Sequence, residues 1–237
     1  MKVLSVIIPA YNEEETISNL LERVLAAKIS LKKEIIIIND GSTDNTKTEA
    51  KKTLDKLIKI YKNDSLLIIS KKNGGKGSAV KLGFEKASGD IIIIQDADLE
   101  YNPDEYQTLI NPIIDNQYKV VYGSRRLNKN NKGYSNLSFF IGGIIVTKLT
   151  NLLFNSKLTD EPTCYKVFEA NLIKNIRIIG NGFEWEPEVT AKILKKKIKI
   201  HEIPISYNPR KKNEGKKINW KDGMKAIWTL FYWRFKN

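Results

Sequence analysis

The sequence predicts an α/β fold built on a mainly parallel sheet, and three observations carry that prediction. Short runs rich in β-branched residues recur along the first half without polar alternation, as strands buried on both faces require. Amphipathic stretches separate them at the spacing of βαβ units with right-handed crossovers. Acidic and glycine-rich turns follow the runs, at the end of a parallel sheet where open α/β folds bind their ligands.

Taken in order, the first run, 3–8, leads into a helical stretch over 13–27. The second, 34–38, is followed by 45–61, with Asp44 placed to cap the helix start. The third, 66–69, precedes a helix over 78–87. The fourth, Ile91–Ile94, precedes 103–115, where Asn102-Pro103 offers a cap and a proline at the first helical position. The fifth run is 120–122. Beyond it the pattern loosens into an α+β region. Leu137–Phe154 is apolar but interrupted by Lys148 and Asn151, so it is at the minimum for a membrane span and a poor one. A helix over 186–196 and a strand over 198–207 follow, and Trp220–Phe235 is an amphipathic terminal helix. In that helix Trp220, Met224, Ile227, Trp228, Phe231 and Phe235 fall on one face.

Composition narrows the function. The 237 residues suit one large domain or two small ones, and 41% hydrophobic with 28% charged residues excludes a disordered chain. One cysteine, Cys164, excludes an internal disulfide framework, and one histidine, His201, leaves little for zinc. The N-terminal residues have no signal-peptide pattern, so the expectation is a cytoplasmic protein. The net charge of +13 is uneven: residues 1–120 hold 17 Lys+Arg and 18 Asp+Glu, a net of −1, and the remainder holds 23 and 9, a net of +14. A basic half implies an anionic partner, whether nucleic acid, a membrane surface or a phosphorylated substrate.

The chemistry-bearing residues lie in the turns. After Ile91–Ile94 comes Gln95-Asp96-Ala97-Asp98-Leu99-Glu100. In extended backbone, residues two apart project to one side, so Asp96 and Asp98 would converge on one ion, with Glu100 as a third oxygen donor. Hard oxygen ligands of this kind suit Mg²⁺ or Mn²⁺ shared with substrate phosphates. A solvated acidic turn is the plainer alternative. The first two strands end in Pro9-Ala10-Tyr11-Asn12-Glu13 and Asn39-Asp40-Gly41-Ser42-Thr43-Asp44, bringing further carboxylates to the same sheet edge. After the third, Asn73-Gly74-Gly75-Lys76-Gly77-Ser78-Ala79 opens a helix, a setting that attracts phosphate. It is neither a Walker A loop nor a dinucleotide fingerprint, since Gly77 follows Lys76 and Val80 occupies the last glycine position.

The order and spacing of these turns, with Tyr122-Gly123-Ser124-Arg125-Arg126, resemble the family 2 glycosyltransferases of GT-A (Rossmann-like) fold over nearly the whole chain. Within them the closer resemblance is to the dolichyl-phosphate mannose synthases and related polyprenyl-phosphate sugar transferases. Residues 161–168, 181–188 and 202–210 add support downstream. Departures fall at Asn39, Glu100 and Thr163-Cys164-Tyr165, and they bear on sugar and nucleotide identity more than on reaction class.

The resemblance implies a nucleotide-sugar-binding half over 1–125 and an acceptor-binding, membrane-proximal half over 126–237 of one domain. Pro9, Tyr11, Glu13 and Asp40 would hold base and ribose, with Lys76, Asp96 and Asp98 completing the nucleotide-sugar site. Asp96, Asp98 and Glu100 would bind Mg²⁺ or Mn²⁺ with the diphosphate. Arg125 would stand near the acceptor phosphate, and Arg210, Lys216 and Lys217 would close over both phosphates. Asp98, Arg125, Arg210 and Lys217 are thus the expected catalytic group. The expected reaction is inverting transfer of a monosaccharide from a nucleotide-diphosphate sugar to a polyprenyl (dolichyl or undecaprenyl) phosphate. That acceptor is already ionised and needs cations rather than a general base, which the basic second half supplies. The alternative is transfer to a glycan or lipid hydroxyl, with Glu184 or Glu186 as base. A helix start is the plainer role for both.

A lipid acceptor requires a membrane surface. The terminal helix, flanked by Lys216, Lys217, Lys221, Lys225, Arg234 and Lys236, fits a monotopic protein peripheral on the cytoplasmic membrane face. Its apolar face would equally serve to pack on the core or on a second copy in a homo-oligomer. No nucleic-acid partner is expected, because the aromatics cluster at the C-terminus and no base-reading motif occurs. A catalytically idle scaffold would not need Asp96 and Asp98. His201 and Cys164 are read as structural.

Overall fold

The computed structural model describes residues 2–131, 137–210 and 219–236. The first half alternates as expected: β1 (Val3–Ala10), α1 (Ile17–Ala26), β2 (Lys32–Asn39), α2 (Thr46–Leu57), β3 (Ser65–Ser70), α3 (Lys76–Lys86) and β4 (Ile91–Ile94). A 3-10 turn at Pro103–Glu105 leads into α4 (Tyr106–Ile114) and β5 (Val120–Ser124). The rest comprises α5 (Leu137–Phe154), β6 (Lys166–Glu169), α6 (Ala170–Lys174), α7 (Trp185–Lys195), β7 (Ile200–Pro204) and α8 (Trp220–Phe235). Among the described residues seven strands form one sheet in the order β3-β2-β1-β4-β6-β5-β7.

β1 pairs in parallel with β2 and β4, and β2 with β3. Covered on both faces, Ile35–Ile38 and Ile91–Ile94 are buried throughout, which explains their unbroken apolar character. α1 turns Ile17, Leu20, Leu21 and Val24 into the core at helical spacing. The cap of α2 is Asn45 rather than the expected Asp44, which stands one residue earlier and accepts from the Thr46 N–H through Oδ1 at 3.0 Å. Asn102 accepts from the Asp104 N–H at 3.2 Å, ahead of Pro103 at the first helical position.

Three local readings need correction. The sequence offered no strand at 166–169, yet β6 inserts antiparallel between β4 and β5. It is four residues long and begins with a lysine, which reads as surface. Lys166 is instead fully buried, donating to the carbonyls of Glu161 at 2.8 Å and Thr163 at 2.6 Å above the Tyr122 ring. β7 is shorter than the expected 198–207 because its edge pairing with β5 ends at Pro204. α7 spans Trp185–Lys195, one residue ahead of the expected 186–196 at each end.

α5 and α8 match the predicted bounds and pack together with α7 around Val146, Ala191 and Leu230. Asn219 and Asp222 form a capping box at the start of α8. Of the apolar face of α8 only Ile227 packs into this cluster: Trp220, Met224, Trp228, Phe231 and Phe235 are exposed, as are Ile141, Ile145 and Leu152 on α5. Among the described residues no helix is long and apolar enough to cross a membrane.

Candidate active site

The C-terminal ends of β1, β2 and β4 lie side by side, and their turns are tied together. The Asp40 N–H donates to the Ala10 carbonyl at 2.9 Å, and the Asn12 N–H to Ser42 Oγ at 3.0 Å. Asn12 Oδ1 accepts in return from the Thr43 N–H at 2.9 Å. Asp40, buried, shapes the glycine-rich turn. Its Oδ1 accepts from Lys71 Nζ at 2.6 Å and the Gly74 N–H at 3.0 Å, and its Oδ2 from the Gly75 N–H at 2.8 Å. Gly75 sits at φ +91°, and a Cβ there would meet the Asn181 carbonyl oxygen at 2.6 Å. Only glycine satisfies both conditions.

The acidic segment after β4 is a turn rather than a continued strand. Leu99 takes φ +62°, an unusual value for a bulky residue, and the bend lets Asp98 Oδ1 accept from the Glu100 N–H at 3.2 Å. Asp96 and Asp98 both line the cavity, and Asp96 is close enough to raise the Asp98 pKa, but they sit on a turn rather than on the extended backbone that the sequence led us to expect. Lys76 Nζ lies 2.9 Å from Asp96 Oδ1 and 2.9 Å from Glu186 Oε1. Burial opposes the Lys76 charge, but these two carboxylates hold its pKa well above the usual lysine range.

Asp98 is pushed up to about 7 by burial and then by Asp96 and Glu100, with Arg210 pulling the other way. Arg210 reaches Asp98 Oδ2 at 3.3 Å and makes two contacts of 3.1 Å with the Glu13 carboxylate. Its N–H donates to Glu100 Oε1 at 2.8 Å, while Glu100 Oε2 accepts from the Tyr207 hydroxyl at 3.0 Å. Residues 207–210 are thus strapped across the acidic turn. Among the described residues, no three of His, Cys, Asp or Glu are arranged to hold a metal by themselves. The donor set nonetheless fits a hard cation. Asp98 responds to neighbouring carboxylates that a divalent ion would neutralise, and a diphosphate would supply the remaining oxygens.

Arg125 enters the cavity already paired. Its guanidinium grips Asp160 at 2.7 Å through Nε and 2.7 Å through an Nη, and a further Nη–H donates to the Pro162 carbonyl at 2.9 Å. Burial would raise Asp160, but the Arg125 charge and hydrogen bonds hold it below the usual carboxylate range. The two side chains form one bidentate pair beside the Tyr207 ring, so Arg125 lines the cavity as an already paired cation that orders the wall.

Pro9, Tyr11, Glu13, Asp40, Lys76, Asp96, Asp98, Glu100, Arg125 and Arg210 all line one cavity of about 840 Å³. Lys216 and Lys217 lie outside the described residues. The same cavity is also lined by Phe139, Gly142, Gly143 and Val146 from α5, by Trp220, Met224 and Ile227 from α8, and by Arg126 and Asp222. Of the alternative bases, Glu184 accepts from the Asn181 and Gly182 N–H groups at 3.0 and 3.1 Å and pairs with Lys225 at 2.9 Å. Burial opposes that state, yet the Lys225 and backbone bonds lower its pKa. Glu186 is engaged by Lys76. His201 stacks on Tyr118 with centroids 4.5 Å apart.

Two residues escaped the sequence reading: Asp160, just before the 161–168 motif, and Glu161, its first residue; only the folded chain brings Asp160 to Arg125 and Glu161 to Thr190. Glu161 is fully buried on the cavity wall. Its Oε1 accepts from Thr190 Oγ1 at 2.8 Å, and its Oε2 has no hydrogen-bond partner. Burial pushes it up to about 7, with Lys166 opposing and Glu186 adding to the shift.

Residues 5–177 match the family model described as glycosyl transferase family 2. An undecaprenyl-phosphate 4-deoxy-4-formamido-L-arabinose transferase of Proteus mirabilis is 36% identical over 149 residues, 62% of this chain and 44% of that protein. A dolichol-phosphate mannosyltransferase of Pyrococcus furiosus is 29% identical over 225 residues, 91% of this chain and 59% of that protein. A dodecaprenyl-phosphate galacturonate synthase of Rhizobium johnstonii is 24% identical over 239 residues, 98% and 68% respectively. The chain therefore spans only part of the length of these relatives. Among solved structures, glucosyl-3-phosphoglycerate synthase of Mycobacterium tuberculosis, crystallised with Mn²⁺, UDP and glucosyl-3-phosphoglycerate, superposes with a TM-score of 0.74 at 18% identity. It covers 98% of this chain and 80% of that one. That likeness shows a shared GT-A-like fold.

Proposed function

The chain belongs to glycosyl transferase family 2, and from that premise we propose that it moves a monosaccharide, with inversion, from a nucleotide-diphosphate sugar to a polyprenyl phosphate at a membrane surface. One observation carries the acceptor assignment. A single cavity is lined both by the acidic turn of Asp96 and Asp98 and by apolar side chains of α5 and α8, and the outward face of α8 exposes a stripe of large apolar side chains. A lipid with a phosphate head matches both kinds of lining, and a stripe flanked by basic residues suits an interfacial helix. The three relatives, an undecaprenyl-phosphate, a dodecaprenyl-phosphate and a dolichol-phosphate enzyme, support the same reading.

In this reading Pro9, Tyr11, Glu13 and Asp40 line the nucleotide end, and the sugar lies beyond the diphosphate toward Lys76 and Glu186. Asp98, with Asp96 and Glu100 near it, would hold Mg²⁺ or Mn²⁺ together with the diphosphate; when bound, such an ion neutralises charge developing on the leaving group. An oxygen of the acceptor phosphate attacks the anomeric carbon as the bond from that carbon to the diphosphate breaks, and the electron pair departs with the diphosphate. Arg210 is poised beside the same turn to exchange its carboxylate partners for phosphate oxygens. No proton has to be removed from an ionised acceptor. The engagement of Glu184 by Lys225 and of Glu186 by Lys76 therefore favours a phosphate over a hydroxyl acceptor.

The test is a thermal-shift panel of nucleotide sugars with and without Mn²⁺, followed by nucleoside-diphosphate release with and without polyprenyl phosphate. A ligand that binds the native state raises its melting temperature. The reading expects a cation-dependent shift with one nucleotide sugar and release that requires the lipid phosphate. Release driven equally well by a hydroxyl acceptor without the lipid would replace it with the alternative.

A further inference from the structure

Among the described residues four cations line the cavity, Lys76, Arg125, Arg126 and Arg210. Three are held in ion pairs: Lys76 by Asp96 and Glu186, Arg125 by Asp160, and Arg210 by Glu13 and Asp98. Arg126 has no ion pair among the described residues. Asp160 is near enough to feel its charge, but both Asp160 oxygens accept from Arg125. Glu202 accepts from the Thr159 and Asp160 N–H groups and pairs with neither arginine. Residues 125, 126 and 160 together therefore leave one positive charge uncompensated on the cavity wall.

The donors of Arg126 locate that charge. Its Nη1–H donates to the Thr159 carbonyl at 3.0 Å, and the guanidinium stands 5.7 Å from the centroid of the Phe140 ring on α5. Nε is buried without a partner, whereas Nη2 makes no hydrogen bond and keeps open surface. A Cβ on Gly143 would meet that Nη2 at 3.1 Å, so the glycine leaves the guanidinium its room against the helix. Gly143 lines the same cavity, as do Phe139 and Val146 of α5. The open donor of an unpaired cation is thus set beside the helix that supplies apolar lining. A phosphate carried on an apolar chain is the ligand that such a pairing of surfaces suits.

We propose that Arg126 receives the phosphate of the lipid acceptor through Nη2, with the apolar chain lying against α5. This rests on the reading that the acceptor is a polyprenyl phosphate. The role expected of Arg125 passes to its neighbour, because Arg125 already has its carboxylate. Arg125 instead ties its own segment to Asp160 while Arg126 Nη1 ties to Thr159, so the two anchors fix the guanidinium before the ligand arrives. A charge-assisted bond from Nη2 to a phosphate oxygen would supply the anion that the wall lacks.

The test is calorimetric binding of farnesyl phosphate, farnesol and inorganic phosphate to the wild-type chain and to Arg126→Gln. The wild type is expected to bind farnesyl phosphate at least ~10-fold more tightly than either of the others, a difference of about 1.4 kcal/mol. Arg126→Gln is expected to lose that advantage over farnesol while binding farnesol itself as the wild type does. Arg126→Lys, which keeps the charge but not the planar fork, should recover part of it. Thermal melts report whether each variant is folded; should Arg126→Gln not fold, Arg126→Met, which keeps an apolar stem against Phe140, takes its place. Undiminished binding of farnesyl phosphate by a folded variant without the charge overturns the proposal. So does a wild type that binds farnesol as tightly as farnesyl phosphate, since no phosphate site then exists. Inorganic phosphate bound as tightly as farnesyl phosphate overturns it in favour of a site for free phosphate. If the wild type binds none of the probes, the lipid-acceptor reading itself fails, and this proposal with it.

Discussion

Asp160→Asn is the perturbation whose size the structure specifies best. The side chain of Asp160 is 0% exposed and that of Arg125 is 12% exposed, and they meet in a bidentate pair at 2.7 Å that also anchors the Arg125 N–H at 3.0 Å. Removing the negative charge leaves a guanidinium buried without its counter-ion, which typically costs about 3–5 kcal/mol. For a chain of this size that lowers the melting temperature by about 6–20 °C. The sign of the pH dependence follows from the lowered Asp160 pKa. A carboxyl whose folded pKa is depressed adds stability that is complete above its unfolded value of ~3.9 and is lost as pH falls through the folded value. Wild type and variant should thus differ most near pH 7 and converge in acid. Urea and thermal unfolding at both pH values measure the gap. A loss under ~1 kcal/mol at pH 7, the scale of an exposed pair, would refute the view that this pair is a buried structural tie.

Other perturbations follow from the same geometry. Asp98→Asn should cut transfer by about 10²–10³-fold without unfolding the chain, as expected when a group facing developing charge is lost. Because the folded pKa of Asp98 is raised to about 7, chiefly by burial and then by Asp96 and Glu100, metal-free wild type should lose stability as pH rises from ~4 toward 7. Asp98→Asn should flatten that decline, and a pH series of melting temperatures in chelator checks it. Gly75→Ala should destabilise the chain and weaken nucleotide binding together, since φ +91° and the 2.6 Å approach to Asn181 exclude a Cβ; a thermal melt with and without nucleotide measures both. The double variant Trp220→Ser, Trp228→Ser should weaken binding to anionic vesicles at least ~10-fold while leaving the melting temperature unchanged, because both rings are exposed. Co-sedimentation with vesicles reads the first effect and calorimetry the second.

The parallel half of the fold was legible because burial on both faces leaves a plain mark: an isoleucine run at 35–38 or 91–94 has few other uses. α5 and α8 were legible to the residue for a similar reason, each being a long apolar or amphipathic stretch. β6 was not. Its buried Lys166 is accommodated by two carbonyls that reach it only in the folded chain, and no local pattern announces that. At the site, the turns carrying Asp40, Asp96 and Asp98 could be read because each follows a strand. What each side chain does there could not, because it depends on partners distant in sequence. Arg125 reads as a free cation until Asp160, 35 residues away, is placed against it. Glu100 reads as a metal ligand, yet its carboxylate also anchors Tyr207 and the Arg210 N–H, more than 100 residues downstream. The outward face of α8 was visible as a stripe, but only the packed α5–α7–α8 cluster shows that the core leaves it uncovered.

The central claim is that one cavity brings a nucleotide-diphosphate sugar to a lipid phosphate. It is met most directly by incubating the chain with its nucleotide sugar, Mn²⁺ and vesicle-borne polyprenyl phosphate, then identifying the lipid product by mass and anomeric configuration. The account predicts a polyprenyl-phosphate monosaccharide of inverted configuration, formed only when cation and lipid phosphate are both present and lost in Asp98→Asn. A sugar found on a hydroxyl acceptor, or on the lipid phosphate with retained configuration, would contradict it.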